Sequence, residues 1–367
     1  FKSKFRYLQR FMNKTVHNFS AGPSILPDLV FDQASSAVKN FNNSGLSILE
    51  ISHRSKDFID VLEESRSLAL EISCLNKDEY SCLYLQGGAS LQFLMTAYNF
   101  LNSNAAYINT GSWSTKAIKE AKMFGNVDEI SSSADQNFNY IPKSTKIKED
   151  YDYLHITSNN TIFGTQFHSF PETNFPLIAD MSSDIFSRKI NFSKFDMIYA
   201  GAQKNLGPAG VTMVLIKKEL LDRVKREVPS MLSYKVHIDK DSSFNTPPVF
   251  AIYCVLQNLK LIKEKGLELI GQKNKIKSDL IYQEIDRNKC FTGFANEEDR
   301  SIMNATFNLN DGFDSDLFDK ICKENNISGI NGHRSVGGYR ASIYNALPEE
   351  SIQILIKCMK DFELNLN

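Results

Sequence analysis

Residues 176–210 read PLIADMSSDIFSRKINFSKFDMIYAGAQKNLGPAG. Two short apolar bursts in this stretch, Pro176–Asp180 and Met197–Ala200, have the length and composition of buried strands. The first ends at a carboxylate, and the second runs into a loop of small residues with Lys204 in its middle. In open α/β sheets, ligands bind beyond the carboxyl ends of the strands. The stretch therefore predicts that Asp180 and Lys204 meet at the ligand-binding edge of a parallel sheet.

The same signal recurs through the first two thirds of the chain. Further strands are expected at Cys82–Leu85, Ala105–Ile108, Tyr153–Thr157 and Val211–Ile216. Helical periodicity lies between several of these segments, and it places apolar residues on one face of each helix. Strands that alternate with helices are typical of crossover units. The sequence predicts an α/β fold whose large domain has a mainly parallel sheet flanked by helices.

The pattern changes after residue 265. A charged helical stretch, Lys260–Gln283, is interrupted by Gly266 and Gly271. The later elements are a strand near Ile302–Asn308, a helix near Asp316–Glu324, an extended segment near Ser335–Ile343 and a final helix that begins after Pro348. This order predicts a smaller α+β domain at the C-terminus. We expect residues 28–265 to form the large domain and residues 266–367 the small one, with residues 12–27 joining them.

Residues 1–11, FKSKFRYLQRF, carry four basic residues and no acid. Two interpretations fit this stretch: the remnant of an organelle transit peptide, or a leader ahead of a start at Met12. The following sequence, MNKTVHNFSAGP, reads like the beginning of a protein and favours the second interpretation. We therefore treat the basic leader separately from the two domains.

Composition excludes several classes of protein. The chain has 367 residues, with 42 basic and 43 acidic side chains and a net charge of -1. This balance argues against the broad positive field of a nucleic-acid binder and against a polybasic membrane surface. No stretch approaches the roughly 20 apolar residues that cross a bilayer. The six cysteines lack zinc or redox spacing, which indicates reduced core residues and no metal site. We expect a soluble, cytoplasmic protein.

The glycine-rich loop around Lys204 suggests covalent chemistry. A lysine chosen at random is most often a solvated surface residue. Small neighbours here leave room for a flat group beside the ammonium, and a desolvated lysine with a lowered pKa forms an imine with an aldehyde. Asp180 is either a turn former or a partner that keeps a pyridinium nitrogen protonated. The second reading indicates pyridoxal phosphate, because that proton makes the cofactor an electron sink.

Two upstream segments are candidates for holding this cofactor. Leu85–Phe93, LQGGASLQF, is a strand that runs through glycines into a helix, and small residues at a helix start let backbone N–H groups approach a phosphate. Ser90 adds a hydroxyl there. Most Gly-Gly turns bind nothing, so this signal is weak alone. Trp113, the only tryptophan, follows the strand at Ala105–Ile108 and is either a core residue or a ring that stacks on the cofactor.

Histidine–arginine doublets occur near both ends of the chain. They are His53-Arg54 and His333-Arg334, and Arg340 lies six residues beyond the second. Arginine binds carboxylates and phosphates in bidentate fashion, although most arginines lie on the surface without a ligand. The repeated doublet suggests one doubly anionic ligand. A serine hydrolase is not indicated, because no Gly-x-Ser-x-Gly elbow is present.

Together these residues belong to nine segments that resemble a known family. The segments, in chain order, are HNFSAGPSILP, ISHRSKDF, LQGGASLQF, NTGSWS, SNNTIFGTQF, ADMSSD, YAGAQKNLGPAG, FNTPPVF and GHRSVGGYRASIYNA. They resemble the phosphoserine aminotransferases, a family of class V pyridoxal-phosphate-dependent aminotransferases with the fold-type I architecture. The resemblance runs from about His17 to the final helix and leaves the basic leader outside.

The resemblance implies a role for each matching residue. Lys204 corresponds to the Schiff-base lysine, and Asp180 to the partner of the pyridine nitrogen. Cofactor contacts are implied for Ala89, Ser90, Trp113, Thr161 and Gln203, and for Asn245 and Thr246 from the neighbouring subunit of a homodimer. Substrate contacts are implied for Ser20, His53, Arg54, His333, Arg334 and Arg340, the last with the α-carboxylate. Some relatives have arginine in place of Ser90, and Asn160 stands where glutamate is commoner.

The implied reaction transfers the amino group of L-glutamate to 3-phosphohydroxypyruvate in two half reactions. The family also acts on a phosphorylated intermediate of vitamin B6 synthesis, phosphohydroxythreonine. A cysteine desulfurase of the same class is an alternative, but Cys322 and Cys358 fall on apolar helical faces rather than in a mobile loop. A cofactor-free homologue that acts as a dimeric interaction protein is the other alternative. Against it, every candidate catalytic position holds a competent residue type.

Overall fold

The computed structural model describes residues 15–143, 150–334 and 336–365. The basic leader, residues 1–11, lies outside them. The strands in chain order are β1 (His17–Asn18), β2 (Tyr80–Leu85), β3 (Asn104–Asn109), β4 (Asn126–Ser132), β5 (Leu154–Thr157), β6 (Asn159–Asn160), β7 (Thr165–Gln166), β8 (Leu177–Asp180), β9 (Met197–Gly201), β10 (Thr212–Lys217), β11 (Phe291–Gly293), β12 (Asn304–Leu309), β13 (Ile327–Ser328) and β14 (Tyr339–Ser342).

Helices separate most of these strands. In chain order they are α1 (Asp28–Lys39), α2 (Lys56–Ile72), α3 (Gly88–Phe100), α4 (Ser112–Ala121), α5 (Tyr234–Asp239), α6 (Val249–Lys265), α7 (Leu267–Arg287), α8 (Ser315–Glu324) and α9 (Glu349–Leu364). The predicted interruption at Gly266 is confirmed, because α6 ends before it and α7 begins after it. The predicted interruption at Gly271 is wrong. That glycine lies inside α7, where its missing Cβ allows a close approach to Arg188.

A seven-stranded sheet organises the first two thirds of the chain. Its strand order is β2-β10-β9-β8-β5-β3-β4. The five strands from β9 to β4 are parallel to one another, whereas β10 is antiparallel to both β9 and β2. All residues of β2, β5, β8 and β9 are buried. The predicted α/β architecture with a mainly parallel sheet flanked by helices is confirmed.

Alternating side chains of the sheet face two different hydrophobic clusters. On β2, Cys82 and Tyr84 belong to a cluster that includes apolar residues of α2 and α6. Leu83 and Leu85 belong to a second cluster, with residues of α3 and α4. Successive residues of a strand point to opposite faces, so helices on both sides are needed to cover such apolar strands. Helix α2 begins at a capping serine, Ser55, whose hydroxyl accepts from the backbone N–H of Phe58.

All six strands predicted within this region exist, with ends shifted by one or two residues. Strand β4 was missed by the sequence analysis. Its sequence, NVDEISS, lacks a continuous apolar run, and none of its residues is fully buried. It forms the edge of the sheet beside β3. An edge strand has fewer neighbours to exclude water, so its composition does not show the apolar signal of a central strand.

The C-terminal third contains a three-stranded antiparallel sheet in the order β11-β12-β14. Apolar residues of this sheet and of α7, α8 and α9 form a cluster that also includes Phe19 from the N-terminal segment. Strand β1 adds to this part of the chain by pairing with β13. The predicted small α+β unit therefore has its elements, while the exact domain limits at residues 28, 265 and 266 stay a prediction.

The six cysteines differ in their burial. Cys82, Cys254, Cys290, Cys322 and Cys358 are buried free thiols, but Cys74 is exposed, so the assignment of every cysteine to the core is wrong. Cys74 follows the end of α2 in a left-handed conformation, which turns the chain at the surface. Among the described helices, none has the length and hydropathy of a membrane span. The described residues hold no group of three or more His, Cys, Asp or Glu side chains placed to bind a metal.

Candidate active site

Lys204 lies in the loop that follows β9, beside residues from three other segments. Its Nζ donates a hydrogen bond to Oγ1 of Thr161 at 2.8 Å and lies 5.5 Å from the centre of the Trp113 ring. Burial lowers the pKa of the Lys204 ammonium to about 8; Asp180 opposes this shift and Arg340 adds to it. A lysine amine with such a pKa is available both as a nucleophile and as a proton acceptor near neutral pH.

Asp180 is the last residue of β8, and it pairs in register with Tyr199 of β9. Its Oδ1 accepts from the backbone N–H of Ser182 at 2.9 Å. Burial raises the pKa of the Asp180 carboxyl, while the charge of Lys204 opposes that shift. The predicted meeting of Asp180 and Lys204 at the ends of neighbouring strands is therefore present as an electrostatic pair.

Thr161 lies in the tight turn between β6 and β7. Within this turn, the N–H of Gly164 donates to the carbonyl of Asn160 at 2.8 Å, and Nδ2 of Asn160 donates to Oγ1 of Thr165 at 2.9 Å. The carbonyl of Thr161 accepts from a guanidinium nitrogen of Arg340, on β14, at 3.4 Å. The turn thus places one residue against both the lysine and a candidate carboxylate-binding arginine.

Trp113 lies in the first turn of α4, directly after β3. Besides Lys204, a second cation lies near this ring: Nζ of Lys116 is 4.4 Å from the ring centre. Lys116 was not identified by the sequence analysis. The signal was present, because a residue three positions along a helix lies on the same face, but an exposed lysine in a helix is too common to be singled out.

The segment after β2 has the geometry expected of an anion site. Gly87 has φ of +88°, a left-handed conformation that suits glycine, and α3 begins at the next residue. Ala89 and Ser90 lie in the first turn of α3, which contains no acidic residue. The free N–H groups of a helix start attract an anion. Gln203 directly precedes Lys204 in the chain. Its backbone carbonyl accepts a hydrogen bond from the N–H of Ser24 at 2.9 Å.

Asn245 and Thr246 contact the start of this segment within the same chain. Nδ2 of Asn245 donates to Oε1 of Gln86 at 3.0 Å, and Nε2 of Gln86 donates to the carbonyl of Thr246 at 3.0 Å. All three residues are exposed or half-buried. The predicted contact of Asn245 and Thr246 with a neighbouring subunit stays a prediction.

The second histidine–arginine doublet lies near Arg340 and Lys116. Burial lowers the pKa of His333, and the nearby charges of Arg340, Arg334 and Lys116 lower it further. His333 therefore lies among three cations, Arg334, Arg340 and Lys116, and we call these four residues the cationic cluster. His53 and Arg54 lie in the turn ahead of α2, where the N–H of Arg54 donates to the hydroxyl of Ser52.

Ser20 lies beside the C-terminal sheet. Its N–H donates to Oδ1 of Asn18 at 3.0 Å, and the carbonyl of the preceding Phe19 accepts from the N–H of Ser342, at the end of β14. The N-terminal segment therefore brings Ser20 to the strand that carries Arg340. Its predicted contact with an amino-acid substrate is untested.

The donor set fits pyridoxal phosphate. A buried carboxylate and the flat ring of an indole lie near a lysine amine of lowered pKa, and a helix without acids in its first turn follows β2 of the same sheet. These are the groups needed for an aldehyde, a pyridine nitrogen, a ring face and a phosphate. A metal ion would find no comparable set of ligands among the described residues.

Comparison with known proteins agrees with this geometry. Residues 16–355 match the model of the family described as aminotransferase class-V. Because this match covers nearly the whole chain, the protein is a pyridoxal-phosphate-dependent aminotransferase of class V. Proteins named phosphoserine aminotransferase from Flavobacterium johnsoniae and Flavobacterium psychrophilum are 59% and 57% identical, each over 95% of this chain and 98% of the relative. The chain belongs to the phosphoserine aminotransferase family.

Solved structures give the same result. The phosphoserine aminotransferase from Bacillus circulans subsp. alkalophilus has a TM-score of 0.92 at 42% identity, covering 96% of this chain and 99% of that one. The pyridoxal-phosphate-bound enzyme from Trichomonas vaginalis has a TM-score of 0.89 at 36% identity, covering 94% and 100%. Neither a cysteine desulfurase nor a cofactor-free interaction protein agrees with these similarities.

Proposed function

We propose that the protein transfers the amino group of L-glutamate to 3-phosphohydroxypyruvate, giving 2-oxoglutarate and O-phospho-L-serine. The observation that carries this proposal is the position of Lys204. Its amine lies against Thr161 and Trp113 and within the electric field of Asp180 and Arg340. When bound, pyridoxal phosphate supplies an aldehyde that receives the amino group and a ring that withdraws electrons from the reacting carbon.

Lys204 is the group that moves the proton in this proposal. With a pKa of about 8, its amine is partly neutral near pH 7 and takes a proton readily, and its ammonium returns that proton with little cost. Thr161 holds the lysine head through a 2.8 Å hydrogen bond. Burial raises the pKa of the Asp180 carboxyl, and the charge of Lys204 favours its carboxylate form; the group is placed to hold a proton on the nitrogen of the cofactor ring.

The cationic cluster fits substrates with two anionic groups. Arg340 is partly buried, and burial lowers its pKa, so a carboxylate there gains from the desolvated charge. We assign the α-carboxylate to Arg340 and the phosphate or distal carboxylate to His333 and Arg334. Both substrates carry an α-carboxylate and a second anion. A single site with two separated cationic positions therefore serves both half reactions.

We further propose a homodimer with shared sites. Asn245 and Thr246 lie on the exposed side of the chain beside Gln86, close to the start of α3. His53 and Arg54 also lie in the turn ahead of α2, where Arg54 is exposed and His53 half-buried. In this proposal Asn245 and Thr246 reach the cofactor phosphate of the partner, and Ala89, Ser90 and Gln203 hold it within the chain. The cytoplasmic location expected from the sequence stays a prediction.

Visible absorption of the purified protein tests the proposed reaction. Addition of L-glutamate should convert the cofactor to its aminated form, and 3-phosphohydroxypyruvate should then restore the original spectrum. Lys204→Ala should abolish turnover, whereas Lys263→Ala, at an exposed ion pair with Glu71, should retain it. A spectrum that ignores glutamate, or a Lys204→Ala protein with near-normal rate, would refute the proposal. Phosphohydroxythreonine as amino donor in the same assay tests the vitamin B6 reaction.

A further inference from the structure

Four consecutive backbone carbonyls at Lys204, those of residues 203–206, accept hydrogen bonds from distant parts of the chain. Ser24 donates its N–H to the carbonyl of Gln203 and its hydroxyl to that of Lys204. Asn258, on α6, donates Nδ2 to the carbonyls of Asn205 and Leu206 at 3.1 and 2.7 Å. Four consecutive carbonyls are thus fixed from two sides. Ordinary glycine-rich loops expose such groups to water.

The side chain of Asn205 connects this loop to two further segments. Its Nδ2 donates to the carbonyl of Ile185 at 2.6 Å, in the turn that follows Asp180. Its Oδ1 accepts from the backbone N–H of Asn345 at 3.0 Å. Asn205 is only 4% exposed, so these bonds form without competition from water.

Asn345 extends the same network. It lies three residues after β14, the strand that carries Arg340, and its Nδ2 donates to the carbonyl of Phe186 at 3.0 Å. Its Oδ1 accepts from Nδ2 of Asn274, on α7, at 2.7 Å. We call Asn205, Asn258, Asn274 and Asn345 the asparagine bracket.

The bracket connects the three groups that act on the amino acid. The Lys204 loop, the turn after Asp180 and the segment after Arg340 converge on Asn205 and Asn345. A shift of about 1 Å between reacting groups is enough to slow a reaction roughly 100-fold. We propose that Asn205 and Asn345 are positioning residues, which set the distance between the Lys204 amine and the carboxylate held by Arg340.

This inference rests on the proposed glutamate-dependent reaction, because Lys204 moves the α-proton of glutamate in it. If the bracket sets the lysine position, its loss slows proton transfer without weakening glutamate binding. A purely structural role has a different outcome: the fraction of folded enzyme falls, and the reaction of each folded molecule is unchanged. The positioning role and the structural role are distinguished by the isotope effect of α-deuterated glutamate. This effect reports how far proton transfer limits the rate.

The test variant is Asn205→Leu, which keeps the branched shape of the side chain and removes both side-chain hydrogen bonds. We expect kcat to fall roughly 10- to 100-fold, KM for glutamate to stay within about twofold, and the isotope effect on kcat to increase. Asn288→Leu is the matched control. Asn288 is equally buried, at 1% exposed, but its Nδ2 contacts Glu284 and Met359 in the C-terminal core. It should lose stability with an unchanged isotope effect.

A second readout does not depend on turnover. Titration of the cofactor-free protein with pyridoxal phosphate, followed by fluorescence of Trp113, the only tryptophan, gives the dissociation constant. Asn205→Leu should bind roughly tenfold more weakly, because a displaced Lys204 bonds the aldehyde less favourably. If Asn205→Leu does not fold, Asn258→Leu removes two hydrogen bonds from the same loop and should change both readouts in the same direction.

Two results would overturn the inference. One is an isotope effect and a cofactor affinity equal to those of Asn288→Leu. The other is a loss confined to KM for glutamate, which would mean that the bracket acts on Arg340 alone. If the wild-type protein does not turn over glutamate, the proposed function fails instead, and cofactor affinity still decides whether the bracket positions Lys204.

Discussion

Thr161 accepts a hydrogen bond from Nζ of Lys204 at 2.8 Å, and the carbonyl of the same threonine accepts one from Arg340 at 3.4 Å. One residue of a short turn thereby contacts the lysine of the large sheet and the arginine of the C-terminal sheet. Burial lowers the pKa of Lys204, and the nearby positive charge of Arg340 lowers it further; burial also lowers the pKa of Arg340. A substrate carboxylate relieves this repulsion, which favours binding at this point.

Removal of the Thr161 hydroxyl should weaken the positioning of the Lys204 amine. In Thr161→Val the lysine ammonium loses its acceptor, so we expect the pKa of Lys204 to fall below its present value and kcat to drop roughly tenfold. The pKa is measured in the cofactor-free protein by the pH dependence of lysine acylation, with mass spectrometry identifying Lys204. Thr212→Val is the control, because the buried hydroxyl of Thr212 has no hydrogen-bond partner in the described part of the chain. Equal effects of both changes would contradict this prediction.

The lowered pKa of Lys204 should make the cofactor-free protein less stable at neutral pH. An unfolded lysine has a pKa near 10.5, and the folded one has a pKa of about 8. Between these values the unfolded state binds more protons, so the free energy of unfolding rises with pH in this window. Below pH 8 the unfavourable contribution is fully present.

Lys204→Met, without cofactor, should therefore unfold at higher urea concentration than the wild type at pH 7. This difference should shrink as the pH rises from 8 towards 10.5, because the wild-type lysine becomes neutral in both states. Urea unfolding at several pH values measures it. A difference that stays constant with pH would show that the gain comes from packing of the methionine instead.

The sequence predicted most of the sheet and the proximity of Asp180 to Lys204. Apolar strands such as β8 and β9 are buried on both faces, so their composition shows the fold directly. Asp180 and Lys204 followed from their places at the ends of those strands. The polar edge strand β4 could not be predicted in this way, because its half-exposed residues show no periodic apolar pattern.

Contacts between distant residues were outside the reach of sequence patterns. The asparagine bracket consists of residues up to 140 positions apart, and asparagine is common on the surface of this chain. Lys116 and its place on Trp113 depend on the rotation of α4, which no local pattern determines. Side-chain hydrogen bonds of this kind depend on tertiary packing, and only the folded chain shows them.

A buried lysine in α7 should contribute strongly to stability. Lys277 is 4% exposed, and its Nζ donates to the carbonyls of Ile343, Tyr344 and Leu347 at 3.0, 2.7 and 3.1 Å. Lys277→Met removes these three hydrogen bonds and should cost about 3 kcal/mol in urea unfolding. Lys275→Met, at an exposed ion pair with Asp279, should cost less than about 0.5 kcal/mol. A cost at Lys277 as small as that at Lys275 would contradict the assigned role.

The turn that carries Thr161 depends on Gly164. Its φ is +72°, and an added Cβ would lie 2.3 Å from Oγ1 of Thr306 and 2.8 Å from the carbonyl of Asn304. Gly312 has φ of +87°, and an added Cβ there would have no neighbour within 4 Å. Gly312→Ala therefore measures the cost of backbone strain without a steric clash. We expect Gly312→Ala to cost about 1 kcal/mol, and Gly164→Ala about 3 kcal/mol with lower kcat. If thermal unfolding gave a similar loss of stability for both variants, the turn would adapt to the added carbon of Gly164→Ala.

Two buried carboxylates near Lys204 should differ in function although burial raises the pKa of both. Asp184 is held by Ser158 and Gln166 within the protein. Asp180 accepts from the N–H of Ser182 and lies in the field of Lys204. Asp180→Asn should lower kcat roughly 1000-fold, because an amide does not hold a proton on the ring nitrogen of the cofactor.

Asp184→Asn is the matched change. It should alter stability, since it disturbs hydrogen bonds with Ser158 and Gln166, and retain kcat within about tenfold. Cofactor content, measured by visible absorption, separates lost binding from slowed chemistry: Asp180→Asn should still take up pyridoxal phosphate and fail to respond to glutamate. If both variants lose activity in proportion to their lost cofactor, the two carboxylates share a structural role, and the assignment of Asp180 to the ring nitrogen is wrong.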